Sequence, residues 1–338
     1  MLSYRLCTIN QMTTRAARAG SVAFSCALLL GAIVASPAWA QSYPAQTVKM
    51  VVGFPPGGTT DVIARMVAQG LTEALGKSFV VDNRAGASGS IGAGQVAKAE
   101  PDGHTLLMSS STHGTAPALY ANLPYQEKDL VPIALMASTP YVFVVHPDIP
   151  VTNFAQVITL LKQNPGKYNY ASSSPGTGQH LGGELVKRAA GVDMVHVPYK
   201  GTGALMPDFL SGRIQMMFEN VAVMTPHIRK GSARPLAISS SKRTPLMPEV
   251  PTVAESGVPG FEVLGWFMLF APAGTPPAVI RTLNTEVNKM IATPAFVQRF
   301  ATLGAEPITS TPDQAAAFLK SEQEKWGKVI RDIGLKIE

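Results

Sequence analysis

Cysteine is almost missing from this chain: Cys7 and Cys26 are the whole complement, and both fall in the first forty residues. Acidic residues are missing from that same segment, where Arg5, Arg15 and Arg18 precede the apolar run Val22–Val34 and the chain reaches Ala38-Trp39-Ala40. A basic start, a short apolar middle and a small-x-small end describe an export signal cleaved after Ala40. The run is shorter than the roughly 20 residues of a spanning helix. Ala23-Phe24-Ser25 is a poor lipidation context for Cys26, so no lipid anchor is expected. What remains is an exported chain without a thiol and hence without a disulfide. At this length it can bury enough surface to fold without one.

Other absences narrow the chemistry. The formal charge of +6 includes the three arginines of the signal, so removal of that segment leaves +3. No dense Lys/Arg cluster follows, which argues against a nucleic-acid partner. The six histidines never stand four apart, and no cysteine remains to help them, so no metal and no cofactor are expected. No G-x-S-x-G elbow occurs. Gly53 to Gly58 has P-loop spacing, but Thr59-Thr60 stands where that loop needs Lys-Ser/Thr, so a nucleoside triphosphate is not expected. Gly92-Ala93-Gly94-Gln95-Val96-Ala97 fits the lax dinucleotide pattern without a preceding strand, and reads as close helix packing.

What is present is an alternation of β-rich and helical runs. Strands are expected at Val48–Val52, Phe79–Asp82, Thr105–Met108, Tyr141–Val145, Tyr168–Ala171, Met194–Val197 and Trp266–Ala271. Between and after them lie helical patterns: Thr60–Leu75, Ile91–Ala99, Phe154–Gln163, Gly182–Ala190, a helix after Gly203, Val279–Ile291 and Ala315–Ile333. Such alternation predicts an α/β fold of mostly parallel sheets flanked by helices. Tyr141–Val145 and Trp266–Ala271 both end in proline-bearing turns and read as paired crossovers between two lobes. The expected division is residues 41–143 for the first lobe, 144–262 for the second, and 263–338 for the return to the first, with the last helices packing there. Proline-rich Lys242–Val258 reads as a surface connection.

Two loops concentrate glycine and hydroxyls between a strand and a helix. In Phe54-Pro55-Pro56-Gly57-Gly58-Thr59-Thr60-Asp61 the prolines stiffen the strand exit, the glycines leave backbone bare, and Thr59 or Thr60 can cap the next helix. Asp61 complements the helix N-terminus or orients water. Ser172-Ser173-Ser174-Pro175-Gly176-Thr177-Gly178-Gln179-His180 repeats the construction. Each loop alone is also what an ordinary tight turn looks like. Together they suit a carboxylate gripped by helix N–H groups from both sides. Ser110 and Thr112, in the run Ser109 to His113, and Tyr199, before Lys200-Gly201-Thr202-Gly203, are further candidates. Serines beside His113 and His180 leave an exported serine hydrolase as the alternative.

At this level of detail the chain resembles the Bug receptors, the TctC-like extracytoplasmic solute-binding proteins of tripartite tricarboxylate transporters. VVGFPPGGTTDVIAR, VDNRAGASGSIGAGQVAKAEPDGHTLLM, SSSPGTGQHLGGE, VPYKGTGALMPDFLSGRIQMMFEN, PEVPTVAESGVPGFE and WFMLFAPAGTP carry the resemblance from about Tyr43 to the C-terminus. It implies a two-lobed, Venus-flytrap periplasmic binding protein of type II, monomeric and without catalysis, that passes a small carboxylate to integral-membrane permease subunits. It also implies the jaws: Phe54, Pro56, Gly57, Gly58, Thr59, Thr60 and Asp61 on one side, and Ser174, Thr177, Gly178 and His180 on the other. Glu219 stands where the family pattern has Asp. Its longer side chain would reach further into the cleft, unless it is a surface acid at a strand end. A mono-, di- or tricarboxylate is the expected ligand; Phe54, Tyr199 and Trp266 favour an aromatic acid, although core packing explains Trp266 at least as well. A receptor of this kind can also serve signalling in place of transport.

Overall fold

The structure is a computed structural model that describes residues 43–336. The export signal, its cleavage point and both cysteines lie outside the described residues.

The first half of the chain builds strand–helix units. β1 (Val48–Val52), α1 (Thr59–Leu75), β2 (Phe79–Asn83), α2 (Ser90–Ala97), β3 (Thr105–Ser110) and α3 (Thr112–Leu119) follow one another. The long β4 (Leu130–Val145) leads to α4 (Phe154–Gln163), β5 (Asn169–Ser172), α5 (Gly178–Ala190), β6 (Val195–Pro198) and α6 (Thr202–Leu210). Next come β7 (Met216–Asn220), α7 (Val221–Arg229) and β8 (Arg234–Ile238). The chain ends with β9 (Leu264–Pro272), α8 (Pro277–Ile291), α9 (Pro294–Thr302), the two-residue β10 (Glu306–Pro307) and α10 (Pro312–Asp332).

The strand order is β2-β1-β3-β9-β4-β7-β5-β6, with β8 and β10 also paired to β4. Strand–helix–strand units give the parallel sets: β1 with β2 and β3, and β5 with β6 and β7. The returning strands β4, β8, β9 and β10 add antiparallel pairings, so each sheet is mixed. β4 belongs to both: Leu130–Pro140 pairs with β9, and Tyr141–Val145 pairs with β7 and β8. The change of partner falls at Pro140, opposite Leu264 at the start of β9.

Separate cores lie on either side of that change. Val48, Met50, Ile63, Leu71, Leu106, Leu269, Leu283 and Val287 pack in one, and Phe143, Phe154, Tyr170, Leu181, Phe218 and Val263 in another. The result is a two-lobed α/β fold. α8 packs on the first core as the sequence suggests, whereas α10 serves both, with Ala315 at the first half and Trp326 and Ile330 in the second. Its 21 residues explain the reach, since a helix rises about 1.5 Å per residue. The Lys242–Val258 connection is not confined to the surface either. Met247, Val250 and Val253 recur every three residues and are buried, and Thr252 bridges to Ile238. Gly92 does pack closely, against the backbone of Gly53 and Arg84.

Candidate ligand site

The loops singled out in the sequence follow the C-terminal ends of parallel strands, and several helices that start there, α5 excepted, lack a side-chain cap. α1, α2, α3 and α6 begin at Gly58, Gly89, Ser111 and Gly201 with no side-chain cap. In contrast, α4, α5, α7, α9 and α10 are capped by Asn153, Thr177, Asn220, Thr293 and Thr311, while α8, with Pro276 as its cap residue, is also uncapped. A cap normally satisfies one of the first-turn N–H groups and contributes about 1 kcal/mol. Leaving it out keeps those donors available to something else. Neither Thr59 nor Thr60 caps α1: the helix starts one residue earlier than the periodicity suggests, which makes Gly58 the cap residue and places both threonines inside the first turn.

Asp61 explains how the first loop holds its shape. Its side chain is buried and accepts four hydrogen bonds: from Gly57 N at 2.9 Å, from Arg65 Nε and Nη2 at 3.0 Å each, and from Asn83 Nδ2 at 2.9 Å. Burial by itself would raise the Asp61 carboxyl, but the bonds from Arg65, Gly57 and Asn83 outweigh it and hold the group below the usual carboxylate range. Asn83 also donates to Phe54 O at 3.0 Å. Gly57 sits at φ +86°, a region side chains avoid. The loop is therefore pinned from beneath, with Pro56, Gly57 and Gly58 exposed above it. The carboxylate of Asp61 is engaged by protein donors on both oxygens.

The second loop is tied in the same manner. Thr177 caps α5 weakly, accepting from His180 N at 3.4 Å, while its hydroxyl donates to Ser174 O at 2.8 Å. α5 starts at Gly178, four residues before the apolar periodicity begins, so Gly178 and His180 belong to its first turn. His180 is buried, and its Nδ1 accepts from Gly176 N at 3.1 Å, which leaves the ring proton on Nε2. The ring stacks on His196 with centroids 3.8 Å apart. Burial, with Lys187 adding to it, lowers His180 to about 4. Burial and then the neighbouring His180 lower His196 to about 3. Both are neutral over the physiological range.

Tyr199 and Glu219 extend this second cluster. Tyr199 N donates to Ser172 O at 2.9 Å and Gly201 N to Ser173 O at 2.7 Å, while the Tyr199 hydroxyl donates to Asp208 at 2.7 Å. Glu219 is not a surface acid. It is 3% exposed and accepts from Thr202 Oγ1 at 2.9 Å and from Asn220 N at 2.8 Å. Burial pushes its carboxyl up, and these bonds with one from Gln179 offset that only in part. Gln179 Oε1 in turn accepts from Ser173 N at 2.7 Å.

Between the two clusters stand Ser110, Thr112 and the loop after β2. Ser110 Oγ and Thr112 Oγ1 are 3.2 Å apart. A methyl group on Gly89 would touch the Phe54 ring at 3.3 Å and Thr112 Oγ1 at 3.8 Å, so Phe54, Gly89 and Thr112 are neighbours. Across from them Thr115 donates to Gly176 O at 2.9 Å. Ser88 reaches Ser174 Oγ at 2.7 Å. Among the described residues no hydrogen bond joins the Phe54–Asp61 and Ser174–His180 loops directly; Ser88 and Thr115 each bond to the second loop, and the first loop meets Gly89, the neighbour of Ser88, through the close approach of Gly53. Ser88, Asn83 and Gln179 are the residues that sequence reasoning missed: none has a motif of its own, Gln179 lies within the second loop without having been singled out, and only the fold brings Ser88 and Asn83 to the loops. A shallow hollow of about 180 Å³ lined by Ala222, Thr225, Arg229, Leu246 and Ala301 lies elsewhere, beside α7 and α9.

The features that suggested an enzyme or an aromatic ligand have structural partners. His113 packs against Tyr125 and Phe270, and its Nδ1 faces Tyr125 OH at 3.3 Å rather than a serine. A serine–histidine contact does exist, Ser172 Oγ to His196 Nε2 at 2.8 Å. Ser172 is fully buried, however, and its hydroxyl donates to Ser174 O at 3.1 Å. Trp266 is 1% exposed and donates to Glu322 at 3.1 Å, a core position. No group of three or more His, Cys, Asp or Glu among the described residues could hold a metal ion, and no described helix is long and apolar enough to cross a membrane.

Comparison with known proteins gives a consistent pattern. Residues 63–335 match the family model described as the tripartite tricarboxylate transporter family receptor. The chain is 40% identical over 308 residues to protein BugT of Bordetella pertussis, covering 90% of this chain and 94% of that one. The structure of Rpa4515 from R. palustris with adipate superposes with a TM-score of 0.83 at 36% identity, covering 87% of this chain and 100% of that one. MatC from Rhodopseudomonas palustris with bound malate gives a TM-score of 0.77 at 31% identity, over 85% of this chain and 100% of that one.

Proposed function

This chain belongs to the tripartite tricarboxylate transporter receptor family, and from that premise we propose that it is a periplasmic receptor that captures a small organic carboxylate between its lobes and hands it unaltered to membrane permease subunits. The observation that carries the reading is the pair of uncapped helix N-termini, on α1 and α6, that follow the C-terminal ends of parallel strands in opposite lobes. Free first-turn amides and the positive ends of two helices suit an anionic oxygen pair without a cationic side chain. Arg65, the basic side chain at the first loop, is already held by Asp61.

In this reading Phe54, Pro56, Gly57, Gly58, Thr59 and Thr60 face the ligand from one lobe. Ser174, Thr177, Gly178, His180 and Tyr199 do so from the other, with Ser110 and Thr112 between. Asp61 and Glu219 shape the loops from below. The lobes divide near residues 143–144 and 262–263, close to where β4 changes partner, and the ligand favours the closed state by touching both. The first forty residues direct export and are then removed, which N-terminal sequencing of the periplasmic chain reads as a start at Gln41.

Dicarboxylates come first among candidates, because the neighbours hold adipate and malate. Calorimetry and thermal-shift measurements on the mature protein with mono-, di- and tricarboxylates test the proposal. Binding of neutral or cationic solutes alone would overturn it. Gly58→Val sharpens the test. Gly58 has an ordinary φ of −76°, and a Cβ there meets only Pro55 O, at 3.8 Å. The variant therefore folds normally, and a loss of affinity of roughly tenfold or more reports the guest directly; unchanged affinity removes this loop from the site.

A further inference from the structure

The loop after β2 has a backbone found nowhere else among the described residues. Gly86, Ala87, Ser88 and Gly89 lie in succession at φ +143°, +45°, +52° and +96°, and Ala87 and Ser88 are the two non-glycine residues there with positive φ. L-residues in the left-handed region are disfavoured, and such runs persist only where the surroundings hold them in place. The surroundings are visible on one side. Gly53 approaches so closely that a Cβ on it would lie 2.5 Å from Gly89 Cα, so the first jaw rests directly on this loop.

What the strained conformation achieves is the position of one hydroxyl. Ser88 Oγ donates to Pro175 O at 3.0 Å and lies 2.7 Å from Ser174 Oγ and 2.8 Å from Tyr120 OH. With its one proton on Pro175, it accepts from the other two, which uses the full capacity of a hydroxyl. Pro175 and Ser174 lie in the loop after β5, in the other sheet and more than eighty residues away in sequence. Thus a single side chain connects the support of the Phe54–Asp61 loop to the tip of the Ser174–His180 loop.

We infer that Ser88 is a positioning residue that latches the two jaws together in the closed state, through hydrogen bonds made only when the lobes meet. The inference rests on the proposed closure about a ligand, but closure is measured separately from ligand chemistry. Residues after Ala40 include no cysteine, so Lys98→Cys and Lys162→Cys, both exposed positions in opposite lobes, accept a dye pair for single-molecule energy transfer.

In this background Ser88→Ala and Ser88→Gly are compared with the parent, without solute and with adipate as probe. Losing the bridge shifts the closed-to-open ratio roughly tenfold toward open, the scale of the hydrogen bonds removed, and weakens adipate binding by a similar factor if adipate binds. Ser88→Gly separates the latch from a purely structural role. Glycine adopts positive φ freely, so this variant melts at or above the parent temperature while still opening. Ser174→Ala added to Ser88→Ala opens the lobes little further, because the partner is already lost. Identical transfer distributions for parent and Ser88→Gly overturn the latch, whatever the carboxylate titrations show. Failure of every carboxylate to bind, with the distributions shifted, overturns the ligand reading and leaves the latch standing.

Discussion

Asp61 and His180 look alike in the sequence, as polar residues in glycine-rich loops, yet they hold their loops through opposite charge states. Asp61 is ionised and gathers donors from Gly57, Arg65 and Asn83. Its depressed folded value means that its stabilisation is complete above the ordinary aspartate range, about 4, and is lost as pH falls through the lower folded value. Asp61→Asn should lower Tm at pH 7 by roughly 2–6 °C and make the acid side of the stability profile shallower. His180 and His196 act uncharged, yet their stabilisation is also lost on acidification. Burial lowers their folded values to about 4 and 3, so they stay neutral above that range, while the unfolded chain takes up protons near 6.5. Stability should be full above about 6.5 and fall as pH drops toward 4, because the unfolded state then binds more protons. His180→Asn, whose amide oxygen can still accept from Gly176 N, should flatten Tm between pH 6.5 and 4.5; an unaltered slope assigns the loss to other groups. The glycine loops were legible in the sequence because bare backbone beside a strand end has a local signature. Asn83 was not, since its partner Phe54 is reached only in space, whereas Gln179 stands in the same loop as its partner Ser173 and carries no signal that separates it from its neighbours.

Helix α5 shows how an element fixes the height of a loop. Gly178, Gly182 and Gly183 line the face it turns to the sheet, where Cβ atoms would meet Tyr141, Phe218 and Tyr170. At Gly183 the Tyr170 ring edge lies 2.2 Å from the Cβ position, and Tyr170 is 1% exposed, so the ring has nowhere to go. Gly183→Ala should cost about 1–3 kcal/mol by overpacking, read by urea denaturation. It should also lift the first turn of α5 and weaken ligand binding, a coupling that Gly58→Val does not share. The element boundaries that sequence reasoning placed differently have a common cause. α5 begins at Gly178 rather than Gly182, because its first turn carries none of the apolar repeat. β4 runs from Leu130, not Tyr141, because Pro132 and Pro140 read locally as breakers. The register with β9 shifts at Pro132 and again at Leu135, which lets the strand bend and continue. α3, with Pro117 inside it, carries no apolar repeat strong enough to announce a helix.

At the scale of the molecule, β4 is the feature that joins separate cores into one cooperative object. One strand contributes Ile133, Ala134 and Met136 to the first core and Phe143 and Val145 to the second. α10 reaches both halves as well. Unfolding either half leaves half of β4 without partners, so the mature protein should melt in a single transition, with calorimetric and van't Hoff enthalpies equal. Two resolved transitions would mean that the lobes fold independently. A ligand that binds only the folded protein adds about 2.7 kcal/mol of stability at a hundred times its Kd. The single transition should therefore move upward as a whole with carboxylate concentration.

The sequence by itself determined the strand–helix alternation, the glycine and hydroxyl loops and the family, because periodicity and turn chemistry are properties of neighbours along the chain. Only the tertiary structure decided which loops meet and that β4 serves both sheets. It also decided that Ser88 meets Ser174 and Pro175 of the loop after β5. Each of these depends on contacts between residues far apart in sequence, whose partners no local pattern can name.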